Sequence, residues 1–273
     1  FITAIVALLI CFVIALLFYY GGIVAMIVMI ALAVFIIIKN RAKTNKNNET
    51  DDLFEQALNT SDQEVIYETL IQHNKESISE LLNISKDIYN DVVNAFMKED
   101  IKTLRKASND CRLAKDKMKQ LKRKEIIIMR RLDDKMINKN TWFHLSYNCI
   151  EQILYALRRI CDPCKEYVDN SFTPLDKKYL PEVEILKDNV LWSLSAADNT
   201  ILNSDYKDVE YIMEQITARE SAVIEMSHEQ MNRIQHDRDN IDLALLYLNI
   251  IQESSELVTE MRHLLRSEAK MNE

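Results

Sequence analysis

The chain has 273 residues and a formal net charge of −8, with 48% hydrophobic and 28% charged side chains, which is room for a membrane segment and one or two modest domains. Only two glycines occur, the adjacent Gly21 and Gly22, so neither G-x-G-x-x-G nor a phosphate-cradling P-loop can be written anywhere in it. All three prolines (Pro163, Pro174, Pro181) fall within nineteen positions, so the remainder lacks the residues that turns and sheets draw on and reads as nearly all helix.

Residues 1–38, "FITAIVALLICFVIALLFYYGGIVAMIVMIALAVFIII", carry no charged side chain. One helix of that length would be about 57 Å, nearly twice the ~30 Å hydrocarbon core of a bilayer. Gly21 and Gly22 divide the stretch, which predicts a transmembrane helical hairpin turning at those glycines, with Tyr19 and Tyr20 at the membrane boundary. A cleaved signal peptide would have a shorter apolar core preceded by positive charge. The basic flank Lys39, Arg41, Lys43 and Lys46 follows without an acid, which favours a cytoplasmic location for what comes after. Reduced cysteines fit that compartment. The chain opens on Phe1 inside the apolar run, as a fragment of a longer membrane protein would.

Residues 39–60 are polar and asparagine-rich and are expected to be a linker. Beyond them apolar positions recur at helical spacing in six runs. The first stripe is Ile71, Ile78, Leu81, Ile84, Ile88, Val92 and Ala95; the last is Leu243, Leu246, Ile250, Leu257, Met261 and Leu264. Further helices are expected near 101–136, 141–169, 182–203 and 207–237. Their breaks are "KED" at 98–100, "NKNT" at 138–141, "NSFTPLDKKYLPE" at 170–182, "LNSD" at 202–205 and "HDRDN" at 236–240. Three helices, a proline-bearing connection and three more suggest an internal duplication, with three-helix bundles at 61–172 and 173–269. One extended antiparallel coiled coil is the rival, and its helices would run past 138–141 and 202–205.

The third run contains Cys161 and Cys164 in a C-x-x-C spacing. Leu157, Cys161, Cys164 and Val168 are spaced by four, three and four, which places both sulfurs on the apolar stripe, where free cysteine packs as a small hydrophobe. A zinc site would lack half its ligands, and a redox pair would sit at a helix start after a strand. Pro163 lies between them and is expected to kink the helix, since it has no N–H and crowds the Arg159 carbonyl. His73, His144, His228, His236 and His263 form no recognisable cluster, and no nucleophile–base pair appears, so an enzyme is not expected.

"LYALRRICDPCKEYV" (154–168) lies over "LLYLNIIQESSELV" (245–258), with Leu157 opposite Leu248, Ile160 opposite Ile251 and Asp162 opposite Glu253. "RRICDPC" resembles the E-R-I-G-D-H-A pattern of PhoU-like domains, tandem three-helix bundles, at Arg159, Ile160 and Asp162, while the second half keeps only the aliphatic–x–acid core. Such domains often follow the last spans of bacterial phosphate transporters, either sodium/phosphate cotransporters or the inorganic phosphate transporter type. The resemblance, over about 61–269, implies a C-terminal piece of a multi-pass inner-membrane phosphate transporter with a cytoplasmic regulatory domain. Its implied partners are the transporter's membrane domain, the lipid bilayer, phosphate as transported ion, and a second copy in a homodimer. A membrane-anchored helical scaffold or signalling coiled coil without transport is the alternative. PhoU proteins can bind divalent or iron clusters through carboxylates on facing helices, and Asp162 and Glu253 occupy the corresponding helices. The second helix offers only Asp110 and Asp116 among many lysines, so salt-bridged carboxylates lead and no cofactor is expected.

Residues 102–131 hold twelve Lys and Arg against Asp110, Asp116 and Glu125, while the soluble part as a whole is acidic, which argues against nucleic acid. The basic helix either pairs with the acidic first helix (Glu64, Glu68, Glu76, Glu80, Asp87, Asp91), or docks the domain on lipid or on the transporter. Lys115, Lys117, Lys119, Lys122, Arg123 and Lys124 are the candidate docking residues.

Overall fold

In a computed structural model the described residues are 59–133, 137–171, 174–175, 177–236 and 240–272. The expected hairpin (1–38) with Gly21 and Gly22, its flank Lys39, Arg41, Lys43 and Lys46, and the linker up to residue 58 lie outside them. Among the described residues no helix is long and apolar enough to cross a membrane.

Six α-helices follow one another: α1 (Gln63–Met97), α2 (Ile101–Met129), α3 (Ile137–Asp169), α4 (Leu180–Asn203), α5 (Val209–His236) and α6 (Ile241–Asn272). A single 3₁₀ turn, Lys177–Tyr179, leads into α4, and no strand occurs among the described residues. The helix starts are capped by side chains or proline. Asp62 accepts from the Glu64 N–H at 3.0 Å, Asp100 accepts from Lys102 and Thr103, and Pro181 lies in the first turn of α4.

The helix ends solve the glycine shortage in one repeated way. A left-handed residue commonly closes a helix and is usually glycine, but here Glu99, Ser171 and Ser204 take that conformation, with φ of 54°, 54° and 51°. After α1 the Asp100 N–H reaches back to the Ala95 carbonyl, and after α4 the Asp205 N–H reaches the Thr200 carbonyl. The first helix of each half therefore ends in the same closure.

Within the first half α1, α2 and α3 pack on one another; in the second, α4, α5 and α6 do. The halves meet first helix to first and third to third, α1 on α4 and α3 on α6, so Thr60–Glu273 forms one compact unit. Four helices make the shared centre, with α2 laid outside one half and α5 outside the other. Ser79 and Asn83 of α1 donate to Asp198 of α4, and Tyr89 of α1 meets Ser254 of α6 at 2.8 Å, so the junction has buried polar ties as well as apolar packing. The outer helices differ. α2 buries eight side chains, including Leu104, Cys111 and Met118, whereas α5 buries only Ile216, Val223 and Gln230, a single row spaced by seven.

The rival reading and one expected boundary do not hold. The helices do not run on as an extended coiled coil: the chain turns after Asn203, and the halves fold against each other. "NKNT" at 138–141 is not a break. α3 already begins at Ile137, and α2 stops at Met129 rather than near 136. The turn is closed by Arg131 N–H to Ile128 O and Leu132 N–H to Met129 O. Gln63 of α1 ties it from outside, donating to the Arg131 carbonyl and accepting from the Asp133 N–H.

Candidate functional site

The α3–α6 seam carries the residues the sequence singles out. Cys161 and Cys164 are fully buried free thiols; the hydrogen bond with Cys111 and then burial raise the pKa of Cys161, and burial raises that of Cys164. The neighbour of Cys161 is not Cys164 but Cys111 of α2, Sγ to Sγ 3.4 Å. Pro163 lies inside α3 without ending it. The carbonyl it deprives of a partner, that of Arg159, accepts instead from Asn249 Nδ2 of α6 at 3.0 Å. Asp162 accepts from Ser108 at 2.7 Å and from Arg158 at 3.0 Å. Burial pushes its carboxyl up, but those two donors outweigh it and hold the pKa below the usual range. Glu253 Oε2 lies 2.7 Å from Arg159 Nε, an ion pair by distance whose N–H is not aimed for a hydrogen bond. Both metal candidates are thus held by arginines, and among the described residues no three His, Cys, Asp or Glu side chains gather as a cation would require.

A second cluster lies where α1, α2, α3 and α6 meet, and all of it is buried. Glu125 of α2 is at its centre. His73 Nδ1 lies 2.7 Å from Glu125 Oε1, Tyr147 donates its hydroxyl to the same oxygen at 2.8 Å, and Asn74 donates to Oε2 at 3.4 Å. From the second half comes Glu268 of α6, 1% exposed, with its Oε1 unpartnered. Burial pushes the Glu268 carboxyl up to about 7, the Ser146 hydroxyl beside it pulls the other way, and the Glu125 charge adds to the rise. Burial, with Glu125, also raises the Tyr147 hydroxyl well above its ordinary value. The cluster is rich in acceptors and short of donors, with the Asn74 Oδ1 also unpartnered. Chemically it can take up a proton near neutral pH, and that proton bears on the contact between the halves.

The basic helix α2 is divided by its own periodicity. Lys115 and Lys122 point inward over the rings of Tyr155 and Tyr147, and Lys117 pairs with Glu80 of α1. Lys106 pairs with Asp91 at 3.2 Å, so part of this helix does pair with the acidic first helix. Of the six candidate docking residues, Lys119, Arg123 and Lys124 are exposed. Lys115, Lys117 and Lys122 have aromatic or acidic neighbours inside the bundle instead.

No protein-family profile matches the chain, and no curated protein matches it in sequence. Solved structures do match it in shape. PhoU from Pseudomonas aeruginosa superposes with a TM-score of 0.61 over 76% of this chain and 98% of that one, at 13% identity. The phosphate transport system regulatory protein PhoU from Streptococcus pneumoniae gives 0.58 over 76% and 96%, at 12% identity. The fold is PhoU-like. At such identities the course of the backbone is what is shared.

Within this PhoU-like bundle Arg159 and Ile160 lie against the second half, Arg159 pairing with Glu253, while Asp162 turns to Ser108 of α2. The buried cluster escapes a motif search, since His73 has no histidine partner but a carboxylate on another helix. A signal was present nonetheless. Glu125 stands seven places after Met118, and Glu268 seven after Met261, each a carboxylate on the buried row of its helix.

Proposed function

We propose that this chain is a membrane-tethered PhoU-like regulator of inorganic phosphate uptake. Its bundle would lie on the cytoplasmic side, behind the last spans of a bacterial phosphate transporter of the inorganic phosphate transporter or sodium/phosphate cotransporter type. The observation that carries this reading is the conjunction of two features in one chain. A PhoU-like fold occupies Thr60–Glu273, and an uncharged stretch of 38 residues with a basic flank precedes it. The proteins it resembles in shape include a phosphate transport system regulatory protein, which supports a regulatory rather than a catalytic role. The seam argues the same way, because Asp162 and Glu253 are neutralised by arginines rather than poised against a nucleophile.

Regulation here would work through shape. The two halves touch along α1–α4 and α3–α6, and a change in either contact moves one three-helix unit against the other. The test is phosphate uptake by cells carrying the intact gene or the same gene ended after residue 58. The expected outcome is an uptake rate that no longer adjusts to external phosphate in the truncated strain. Identical uptake at all phosphate levels would refute the proposal and leave a helical scaffold without transport.

A further inference from the structure

We propose that the solvent face of α2 is a docking surface for an anionic lipid bilayer. Arg105, Arg112, Lys119, Arg123 and Arg130 recur at spacings of seven, seven, four and seven, which sets them in one row along the helix. All five are exposed. Arg105, Arg112 and Lys119 each follow a residue of the buried row that fixes α2 to the bundle (Leu104, Cys111 and Met118), so the basic row runs about 100° round the helix from it. From Arg105 to Arg130 the row runs roughly 38 Å at 1.5 Å per residue.

Three neighbouring acids engage lysines off this row, and two reach its arginines. Asp91 and Asp110 engage Lys106, and Glu80 engages Lys117, on the edge facing α1. Asp169 reaches Arg105 at one end, and Asp116, the one exposed acid among the residues of α2, lies 3.5 Å from Arg112. Lys119 and Arg123, at the middle, form no ion pair with any described residue. Beside them Ile127 is 49% exposed. An aliphatic side chain flanked by arginines and lysines on a convex helix is what the headgroup boundary of a bilayer accommodates.

Two further facts favour lipid as the occupant. The bundle as a whole is acidic, so a continuous basic row on one helix is the part that would turn toward a negative plane. The apolar residues 1–38 end about twenty residues before the bundle starts, which would hold this face at high effective concentration near a membrane. That tether belongs to the functional reading above, but the surface itself does not depend on it. The experiment therefore uses residues 59–273, which have their own closed core, and needs no phosphate uptake.

The protein is sedimented with vesicles of phosphatidylcholine alone or with about 30% phosphatidylserine, at low salt and at physiological ionic strength. Binding is expected to the anionic vesicles only, and to weaken as the Debye length falls to about 8 Å. Lys119→Glu with Arg123→Glu should weaken it at least about 25-fold, from roughly fivefold per basic residue lost. Lys207→Glu with Arg266→Glu, the same charge change at exposed positions on other elements, should leave most of it. Ile127→Ser tests the aliphatic part with every charge retained and should cost a few-fold. If the Glu pair disturbs folding by circular dichroism, Lys119→Gln with Arg123→Gln replaces it. Absence of binding at low salt, equal binding to neutral vesicles, or equal losses from the two charge-reversed pairs would each overturn the proposal.

Discussion

Glu268→Gln should make the bundle more stable, and increasingly so as pH rises. In the folded chain the Glu268 carboxyl is held at about 7 against an ordinary value of 4.5, because burial strips it of water and the Glu125 charge opposes its own. Each pKa unit corresponds to about 1.4 kcal/mol, so ionising this group in place costs roughly 3 kcal/mol relative to the unfolded chain. The folded value is raised, so the stability linked to the protonated carboxyl is complete below about 4.5, declines as pH rises, and is gone above about 7. Glutamine of the same shape carries no charge and brings an N–H₂ into a pocket short of donors. Between pH 5 and pH 8 the advantage of the variant over the parent should therefore grow by about 2–3 kcal/mol. Urea denaturation of residues 59–273 at a series of pH values measures this, with a midpoint shift on the order of 1 M at the alkaline end. Other titrating groups cancel in the difference between the two proteins. A difference that stays constant from pH 5 to pH 8 would mean that Glu268 does not titrate inside the fold, and the reasoning fails.

Asn249→Ala removes the donor that satisfies the Arg159 carbonyl and should cost about 1 kcal/mol. In a Pro163→Ala background the cost should largely vanish, because alanine restores the missing helical N–H; a double-mutant cycle with no coupling would contradict this. The thiols of Cys111, Cys161 and Cys164 are buried, and the pKa is raised for Cys161 by its hydrogen bond with Cys111 and by burial and for Cys164 by burial, so thiol labelling at neutral pH should proceed no faster than unfolding exposes them. Rapid labelling of the folded bundle would show that the seam is open.

Helical periodicity is a local property, which is why α1 and α6 can be read directly. Ile78, Leu81, Ile88 and Val92 are buried, as are Leu243, Leu246, Ile250, Leu257, Met261 and Leu264. The end of α2 is not local, since Gln63, at the far end of α1, holds the turn that stops it. For the same reason "NKNT" has the composition of a loop and the conformation of a helix. The basic character of α2 is visible in its composition, but which lysines face inward depends on where Tyr147 and Tyr155 of α3 come to lie. Glu125 and Glu268 are each detectable as a carboxylate on an apolar row. That the two rows meet follows only from the return of α6 across the first half. The resemblance carried by "RRICDPC" indicates the fold; the Arg158–Asp162 pair is one helical turn apart within α3, while the pairing of Arg159 with Glu253 needs the packed seam.

The thin attachment of α5 sets an order in which the native state can come apart. Elements that bury little open at the lowest free energies, often as cooperative units, while the rest of a protein stays closed. α5 is held by one row of three buried side chains and by polar ties: the Gln230 bond to the Ala244 carbonyl at 3.1 Å, the two-pronged pair of Arg233 with Glu182 at 2.8 Å, Glu220 with Thr259 and Arg262, and Arg219 over the Trp192 ring. Its counterpart α2 is fastened by eight buried side chains, among them the carboxylate at the centre of the buried cluster. Two helices in matching places of the two halves thus differ in how much they bury. Amide protons of α5 should exchange well before those of the four central helices, and the second half can loosen at its edge while α6 keeps Glu268 in place against the first.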